Sequence, residues 1–172
     1  MIKVASLNCR GLNKKIKRKS VFNQLIQYDI IFLQETYITN AKLKEWELDW
    51  NGKLYFVEGT NKSNGLITLI NAKFPHDDIE TIIKKDRIMC QKINIHDTSY
   101  YFINIYAPNL KKDKLSFLDE LSSAISKLNS QNIIIGGDFN IVSDNILDIL
   151  AGDTHDKELV KKLCKFRDKH ER

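Results

Sequence analysis

Residues 132–140 have the sequence NIIIGGDFN, an apolar run that passes through two glycines to a carboxylate and an amide. The apolar part, residues 132–135, has the length and composition of a buried strand. Gly136 and Gly137 permit a close backbone approach and a tight turn directly before Asp138. In an extended segment Asp138 and Asn140 would face the same way, because they are two residues apart. The stretch therefore predicts a strand that delivers two oxygen-bearing side chains at its carboxyl end.

Three further apolar runs are followed by polar side chains in the same manner: residues 2–7 by Asn8, residues 29–33 by Gln34 and Glu35, and residues 100–105 by Tyr106 and Asn109. Loops at the carboxyl ends of strands commonly gather into one site. Carboxylate and amide oxygens are the ligands that suit Mg²⁺, which keeps several waters and shares phosphate oxygens with a substrate. The four strand ends together predict a magnesium site.

Each of these residues also has an ordinary structural interpretation. Glu35 can be the first solvent-exposed residue after a buried strand, and Asn8 can form a turn. Asp138 and Asn140 can be caps within a turn. Tyr106 can be a core aromatic residue with a hydrated hydroxyl. The residues alone leave these alternatives open.

The remaining periodicity indicates an α/β chain. Another buried strand is expected at residues 66–70, and weaker strands at residues 54–57, 79–83 and 88–95. Three helices are expected, capped by Asn13, Asp113 and Asp156. The apolar face of the first helix consists of Val21, Phe22, Leu25 and Ile26. The apolar face of the second helix consists of Leu118, Leu121, Ile125 and Leu128. The run of central strands favours antiparallel pairing rather than a uniform parallel sheet. Sheets covered by helices on their outer faces fit this order best.

Length and composition bound the class of protein. A chain of 172 residues with 42% hydrophobic and 28% charged residues predicts one globular domain and excludes a fibrous or disordered chain. No apolar stretch is long enough to cross a membrane, and no signal peptide is visible, so we expect an intracellular protein without a membrane partner. The three cysteines, Cys9, Cys90 and Cys164, are too far apart for a zinc motif and are expected to be reduced and mostly buried.

The net charge of +5 is concentrated at the amino end. Residues 1–20 contain seven basic and no acidic side chains. Such a block can attract a polyanion such as nucleic acid, or an anionic membrane, or it can be a solvated helix face. Charge alone does not decide between these interpretations.

Five motifs in a fixed order carry a family resemblance: SLNCRGL (6–12), IFLQET (31–36), NGLITLI (64–70), NIYAPN (104–109) and IGGDFN (135–140). With them the chain resembles the endonuclease/exonuclease/phosphatase superfamily, which includes DNase I and the apurinic endonucleases. Within it, the likeness is strongest to the endonuclease domain of LINE-type (non-LTR) retrotransposons. The resemblance implies a four-layer α/β/β/α sandwich of the DNase I type and Mg²⁺-dependent (or Mn²⁺-dependent) hydrolysis of a DNA phosphodiester.

The resemblance also implies roles for individual residues. Glu35 would be a direct metal ligand, with Asn8 in the shell of the metal and the phosphate. Asp138 would activate the attacking water and Asn140 would hold the phosphate, while Tyr106 and Asn109 would line the phosphate pocket. DNA contacts would fall to the basic residues near Asn8: Arg10, Lys14, Lys15, Lys17, Arg18 and Lys19. The family context further implies fusion to a reverse transcriptase and, for a functional element, work in the nucleus.

Three departures from the family pattern qualify these expectations. Arg10 replaces the acidic residue of apurinic endonucleases, as in the retrotransposon branch, and Tyr37 stands where many retrotransposon relatives have His. The third departure is the absence of the Ser-Asp-His motif that ends family domains. We therefore expect residues 1–172 to form a single domain that lacks its last quarter to third and to be inactive or nearly so.

Two alternative functions follow from the same residues. One is a catalytically inactive remnant that binds nucleic acid. The other is a phosphoesterase acting on lipid or inositol phosphates, which the NIYAPN and IGGDFN motifs disfavour. The sequence does not determine the cleavage-site preference or the oligomeric state.

Overall fold

The computed structural model describes residues 1–128 and 130–140, and the chain divides into two compact units. The first unit comprises Met1–Tyr106 and Asn132–Asp138. Its elements, in chain order, are β1 (Val4–Asn8), α1 (Lys15–Leu25), β2 (Ile30–Gln34), a short 3₁₀ helix (Asn40–Lys42), α2 (Leu43–Asp49), β3 (Gly52–Val57), β4 (Leu66–Asn71), β5 (Asp78–Lys85), β6 (Ile88–Ile95), β7 (Thr98–Tyr106) and β8 (Ile133–Asp138).

The strands form two four-stranded mixed sheets, with the orders β1-β2-β4-β3 and β5-β6-β7-β8. Each sheet contains one parallel pair. β1 runs parallel to β2, with Asn8 opposite Gln34, and β7 runs parallel to β8, with Tyr106 opposite Asp138. All other pairs are antiparallel. The two parallel pairs carry the polar strand ends that the sequence singles out.

Apolar side chains fill both faces of the first sheet. Its outer face packs with α1 and α2 around Phe22, Leu33, Trp46 and Leu69. Its inner face packs on the second sheet through two groups of buried residues. The deep cluster consists of Ile30, Phe32, Ile70, Phe74, Ile93 and Phe102, and the rim cluster of Val57, Leu66, Met89 and Tyr106.

A glycine sets how closely β8 approaches the first sheet. A Cβ atom on Gly136 would lie 2.7 Å from Cδ2 of Phe32. That separation is too short for two carbon atoms, so the ring of Phe32 uses the space that a side chain would need. β8 includes both glycines and ends at Asp138, whereas the sequence predicts that the strand ends before the glycines.

The second unit comprises Ala107–Gln131 and the chain from Phe139 onward. Among its described residues it contains one helix, α3 (Lys111–Ser126). The predicted apolar stripe is present, since Leu118, Leu121 and Ile125 are buried. Leu128 lies beyond the end of the helix and is half-buried.

The predicted strands are all confirmed, with shifts of a few residues at their ends, but the predicted helix caps are wrong. α1 is preceded by Lys14 rather than Asn13, and α3 by Leu110 rather than Asp113, and neither helix has a side-chain cap. The amide oxygen of Asn13 instead accepts a hydrogen bond from Lys42. Ile26 is largely exposed. The helix predicted after Asp156 falls outside the described residues.

Two further findings concern helices and cysteines. α2 was not predicted from the sequence, although it buries Trp46 completely. Cys9 and Cys90 are free and buried, as expected, while Cys164 falls outside the described residues. In the described part of the chain no helix is long and apolar enough to span a bilayer.

Candidate active site

One amide joins the two carboxylates that the sequence singles out. Nδ2 of Asn8 donates a hydrogen bond to Oε1 of Glu35 at 2.9 Å and another to Oδ2 of Asp138 at 2.8 Å. Since both oxygens lie within 2.9 Å of the same nitrogen, they cannot be further apart than twice that distance. All three side chains are half-buried. Three segments that are distant in the sequence therefore meet at a single point.

Tyr106 completes this group of side chains. Its hydroxyl donates a hydrogen bond to Oε1 of Glu35 at 2.9 Å, while its ring belongs to the rim cluster. Burial, followed by the hydrogen bond to Glu35, raises the pKa of Tyr106 to about 12. The hydroxyl therefore stays protonated at neutral pH and acts as a hydrogen-bond donor.

The backbone at Glu35 is strained. Its φ of 49° lies in the left-handed region, which costs a non-glycine residue about 1–2 kcal/mol. Hydrogen bonds hold the backbone in place, from the N–H of Gly11 to the carbonyl of Glu35 at 2.7 Å and from the N–H of Thr36 to the carbonyl of Gly65 at 3.1 Å. Strain of this kind, maintained by surrounding loops, is common at functional sites.

Tyr37 adds a second hydroxyl to Glu35. Oη of Tyr37 donates to Oε2 of Glu35 at 3.4 Å, so each carboxylate oxygen faces one tyrosine hydroxyl. The ring of Tyr37 lies over Gly11, where a Cβ atom would come within 2.7 Å of the ring carbons. Burial, together with the charge of Glu35, raises the pKa of Tyr37. Tyr37 is not among the site residues predicted from the sequence.

Cys9 follows Asn8 but is unsuited to nucleophilic chemistry. Its side chain is buried, and its Sγ donates to the carbonyl of Leu7. Burial raises the pKa of the Cys9 thiol to about 12, although Lys17 lowers it somewhat. Because the thiolate is the reactive form, this cysteine is inert at neutral pH.

Three polar side chains form a hydrogen-bond network next to the site; Gln34 and Asn104 are buried, and Ser6 is exposed. Nε2 of Gln34 donates to Oδ1 of Asn104 at 2.9 Å and to Oγ of Ser6 at 3.2 Å. Nδ2 of Asn104 donates to the carbonyl of Ile67 in the opposite sheet at 2.8 Å. Gln34 and Asn104 are buried and link the two sheets. The sequence signal for Asn104 is its position within the apolar run 100–105, and Gln34 is one of the polar residues that directly follow the run 29–33.

The other two predicted site residues belong to the second unit. Asn109 is exposed. Nδ2 of Asn140 donates to the carbonyl of Ala107 at 2.7 Å, and the carbonyl of Asn140 accepts a hydrogen bond from Lys114. Asn140 has a φ of 50° and lies after the end of β8, so the argument from an extended segment does not apply to it. The roles of both residues stay predictions.

Arg18 has to be removed from the predicted DNA-contacting block. Its side chain is fully buried, and Nη2 donates at 2.6 Å both to Glu45 and to Asp49 of α2. Its guanidinium also lies 4.8 Å from the centre of the Trp46 ring. An arginine paired in this way is part of the packing between α1 and α2 and is not available to a phosphate.

The other basic residues of the block are exposed: Arg10, Lys14, Lys15, Lys17 and Lys19. Nζ of Lys17 donates to the carbonyl oxygens of Cys9 and Arg10, so it also braces the loop after Asn8. Nζ of Lys19 lies 3.5 Å from Asp49. Contact with DNA stays a prediction for these five.

The donor set at the strand ends fits a hydrated magnesium ion. Mg²⁺ is usually held by one or two carboxylates, and waters and substrate phosphates complete its shell. Glu35 and Asp138 supply two carboxylates, and a half-turn of the Asn8 amide would present its oxygen in place of its nitrogen. No group of three or more His, Cys, Asp and Glu side chains that could hold a metal occurs in the described part of the chain.

The chain belongs to the Endonuclease/Exonuclease/phosphatase family, whose model matches residues 5–150. It is similar to the transposon TX1 uncharacterized 149 kDa protein of Xenopus laevis, with 29% identity over 147 residues. That match covers 83% of this chain but 11% of the transposon protein. The family expected from the five sequence motifs is therefore confirmed.

Solved structures confirm the fold class. An AP endonuclease from Archaeoglobus fulgidus superposes with a TM-score of 0.73 and 20% identity, over 98% of this chain and 70% of that one. The endonuclease domain of TRAS1, a telomere-specific non-LTR retrotransposon, superposes with a TM-score of 0.67 and 15% identity, over 99% and 71%. At these identities the likeness shows the DNase I-like α/β fold alone.

Proposed function

We propose that the strand-end site binds Mg²⁺, or Mn²⁺ in its place, together with a phosphodiester of DNA, and that the chain is a nuclease-type hydrolase domain of retrotransposon origin. The observation that carries the proposal is the amide of Asn8, which draws Glu35 and Asp138 to one point. Two carboxylates gathered at strand ends in this family are suited to a divalent ion shared with a phosphate. The match to the transposon TX1 protein supports the retrotransposon origin.

When bound, the ion would act as a Lewis acid on a phosphate oxygen. Glu35 and Asn8 would hold it. Asp138 would orient an attacking water and accept its proton, since a carboxylate next to the reacting phosphate can act as a general base. The protonated hydroxyl of Tyr106 fixes the rotation of the Glu35 carboxylate through its hydrogen bond. The family resemblance alone supports a phosphate-contacting role for Asn140 and Asn109.

The exposed basic residues would provide the backbone contacts. Arg10 follows the site residue Asn8 by two positions, and Lys14 and Lys15 stand at the start of α1. Lysine and arginine contacts to phosphates carry most non-specific affinity for DNA and weaken steeply with salt. As further proposals, the chain would be joined to a reverse transcriptase and would work in the nucleus.

Metal binding can be tested on the 172-residue chain by titration with Mn²⁺ followed by electron paramagnetic resonance. One site is expected, and Glu35→Gln and Asp138→Asn should each weaken it at least about tenfold. Glu47→Gln, an exposed glutamate on α2, is the matched control and should leave the affinity unchanged. Equal affinities in all four proteins would refute the proposed site.

DNA binding and cleavage separate the nuclease from its alternatives. Binding to a short duplex, measured by fluorescence anisotropy, is expected to fall with salt, and Lys14→Ala should reduce the slope of that dependence by about 1. Lys44→Ala, an exposed lysine on α2, is the control. Failure to bind DNA would contradict the proposed substrate.

Nicking of supercoiled plasmid is expected to be weak or absent, because the chain contains no Ser-Asp-His motif. Nicking that requires Mg²⁺ and is lost in Glu35→Gln would establish the nuclease activity and overturn the expected inactivity. Salt-dependent binding without cleavage would favour the nucleic-acid-binding remnant. Hydrolysis of small phosphoesters in preference to plasmid would favour the phosphoesterase.

A further inference from the structure

A layer of polar side chains crosses the interior of the sandwich between the deep cluster and the rim cluster. In β4, Thr68 lies between Leu66 of the rim cluster and Ile70 of the deep cluster. In β6, Gln91 lies between Met89 and Ile93, which belong to the same two clusters. Because alternate residues of a strand share a face, Thr68 and Gln91 both point into the space between the sheets.

The same layer contains the network already described. Asn104 lies in β7 between Phe102 of the deep cluster and Tyr106 of the rim cluster, and its amide reaches the carbonyl of Ile67 across the sandwich. Gln34 donates to Asn104 and to Ser6. Five polar residues therefore contribute to the layer, which extends from Ser6 at its exposed edge to four buried residues: Gln34, Thr68, Gln91 and Asn104.

Part of this layer has no hydrogen-bond partner among residues 1–128 and 130–140. Thr68 and Gln91 are both fully buried, yet Oγ1 of Thr68 and both Nε2 and Oε1 of Gln91 make no hydrogen bond within the described part of the chain. Leaving a buried polar group unsatisfied costs about 1–3 kcal/mol. Three such atoms on facing strands would be a large penalty in a domain of ordinary stability.

We infer that ordered water occupies the space between Thr68 and Gln91 and completes the hydrogen bonds of this layer. The chemistry of the orphaned atoms selects the ligand. Nε2 of Gln91 is a donor, Oε1 is an acceptor, and the hydroxyl of Thr68 is both. None of the five side chains of the layer carries a charge, so an ion would lose its hydration without a counter-charge in return. Water satisfies donors and acceptors together, and buried waters typically make about three hydrogen bonds.

The hydrated layer forms the floor of the candidate active site. Ser6 precedes Asn8 by two residues, Asn104 precedes Tyr106 by two, and Gln34 directly precedes Glu35. Asn8 and Tyr106 are thus the next inward-facing positions on β1 and β7, and Glu35 is the first residue after β2. Water in the layer would fix the spacing of the sheets under the site without a direct bond between Thr68 and Gln91.

The inference does not depend on metal or DNA binding, and it can be tested on the wild-type chain. In a crystal structure that resolves ordered solvent, at least one water is expected within hydrogen-bond distance of Gln91 and Thr68. In solution, the side-chain amide protons of Gln91 should show nuclear Overhauser effects to a long-lived water.

Two variants sharpen the test. The pair Thr68→Val and Gln91→Leu in one chain should abolish both the density and the water cross-peaks, whereas Thr98→Val, at an exposed position of β7, should change neither. A dry interior would overturn the inference. So would a direct hydrogen bond between Gln91 and Thr68, or between Gln91 and Asn104, that leaves no room for solvent.

Discussion

Two regions of this molecule use the same arrangement with different chemistry. In the candidate active site, one nitrogen of Asn8 donates to the carboxylates of Glu35 and Asp138 at 2.9 and 2.8 Å. Between α1 and α2, one nitrogen of Arg18 donates to the carboxylates of Glu45 and Asp49, both at 2.6 Å. Each region therefore gathers two acids on a single donor.

The charge of the donor distinguishes the two regions. The guanidinium of Arg18 is a cation and balances part of the negative charge around it, which makes that cluster a structural clamp. The amide of Asn8 is neutral, so it orders two carboxylates without neutralising them. A neutral donor between two acids is what a site needs if a cation is to be bound there reversibly. The candidate site and the Arg18 cluster therefore differ in the charge of the central donor and not in the number of acids around it.

The largest effect is expected from Arg18→Met. This change leaves Asp49 and Glu45 beside an apolar side chain, and removing one partner of a buried pair costs about 3–5 kcal/mol. The free energy of unfolding in urea measures it. Lys14→Met, at an exposed position before the same helix, is the control and should stay close to wild type. Equal losses in the two variants would show that Arg18 is no clamp.

Asn8→Asp should have the next largest effect. It replaces a donor by a third carboxylate between Glu35 and Asp138, and the lost hydrogen bonds and repulsion should cost about 1–3 kcal/mol without divalent ions. Addition of Mn²⁺ should raise the melting temperature of this variant more than that of wild type. Asn23→Asp on the exposed side of α1 is the matched change and should show no such rescue. If Mn²⁺ raises the melting temperature of both variants equally, the candidate site binds the ion no better than the rest of the surface does.

The two tyrosines that donate hydrogen bonds to Glu35 should differ in how much each stabilises the folded protein. Tyr106→Phe loses a partly buried hydrogen bond of 2.9 Å to a carboxylate, with an expected cost of about 1.5–3 kcal/mol. Tyr37→Phe loses a bond of 3.4 Å and should cost about 0.5 kcal/mol. Unfolding free energies of the two variants give the comparison. A larger loss for Tyr37→Phe would mean that the longer contact holds the carboxylate.

The smallest effect is expected from acid, because protonation of Asp49 leaves Glu45 as a charged partner of Arg18. Burial alone would raise the pKa of Asp49, but its hydrogen bond to Arg18 and the positive charges nearby outweigh burial and lower the pKa below 3.8. A lowered pKa means that the contribution of Asp49 is complete above the unfolded-state value and is lost as the pH falls through the folded-state value.

Unfolding free energies of wild type and Asp49→Asn provide the measurement. The difference between them should be constant between about pH 5 and pH 7 and should shrink below about pH 4. If the difference in unfolding free energy instead shrinks as the pH rises, the pKa of Asp49 is not lowered in the folded protein.

Much of the fold could be predicted from the sequence because its strands are short apolar runs with polar residues directly after them. The ends of those runs led to Asn8, Glu35, Tyr106 and Asp138, which the structure brings together. The order of the strands along the chain was enough to expect antiparallel pairing of the central strands, and β3 to β4 and β5 to β7 pair in this way. The placement of these four side chains depends on parallel pairing in both sheets, which their spacing alone does not encode.

The rest depended on contacts between distant segments. Arg18 looked like part of a basic block because α2, which supplies both of its acids, is only seven residues long and was not predicted. The role of Tyr37 arises from a left-handed backbone and from the absence of a side chain at Gly11. The roles of Gln34 and Asn104 could not be predicted, because the two side chains bond to each other from opposite sheets.

The bare Cα of Gly136 has a consequence for the acid pair. Phe32 sits where a methyl group at position 136 would project, so any larger residue there would act as a wedge between the sheets. Asp138, two residues further along the same strand, would be carried away from Asn8 by that wedge. The distance between the carboxylates of Glu35 and Asp138 therefore depends on the absence of a side chain at Gly136 in the interior.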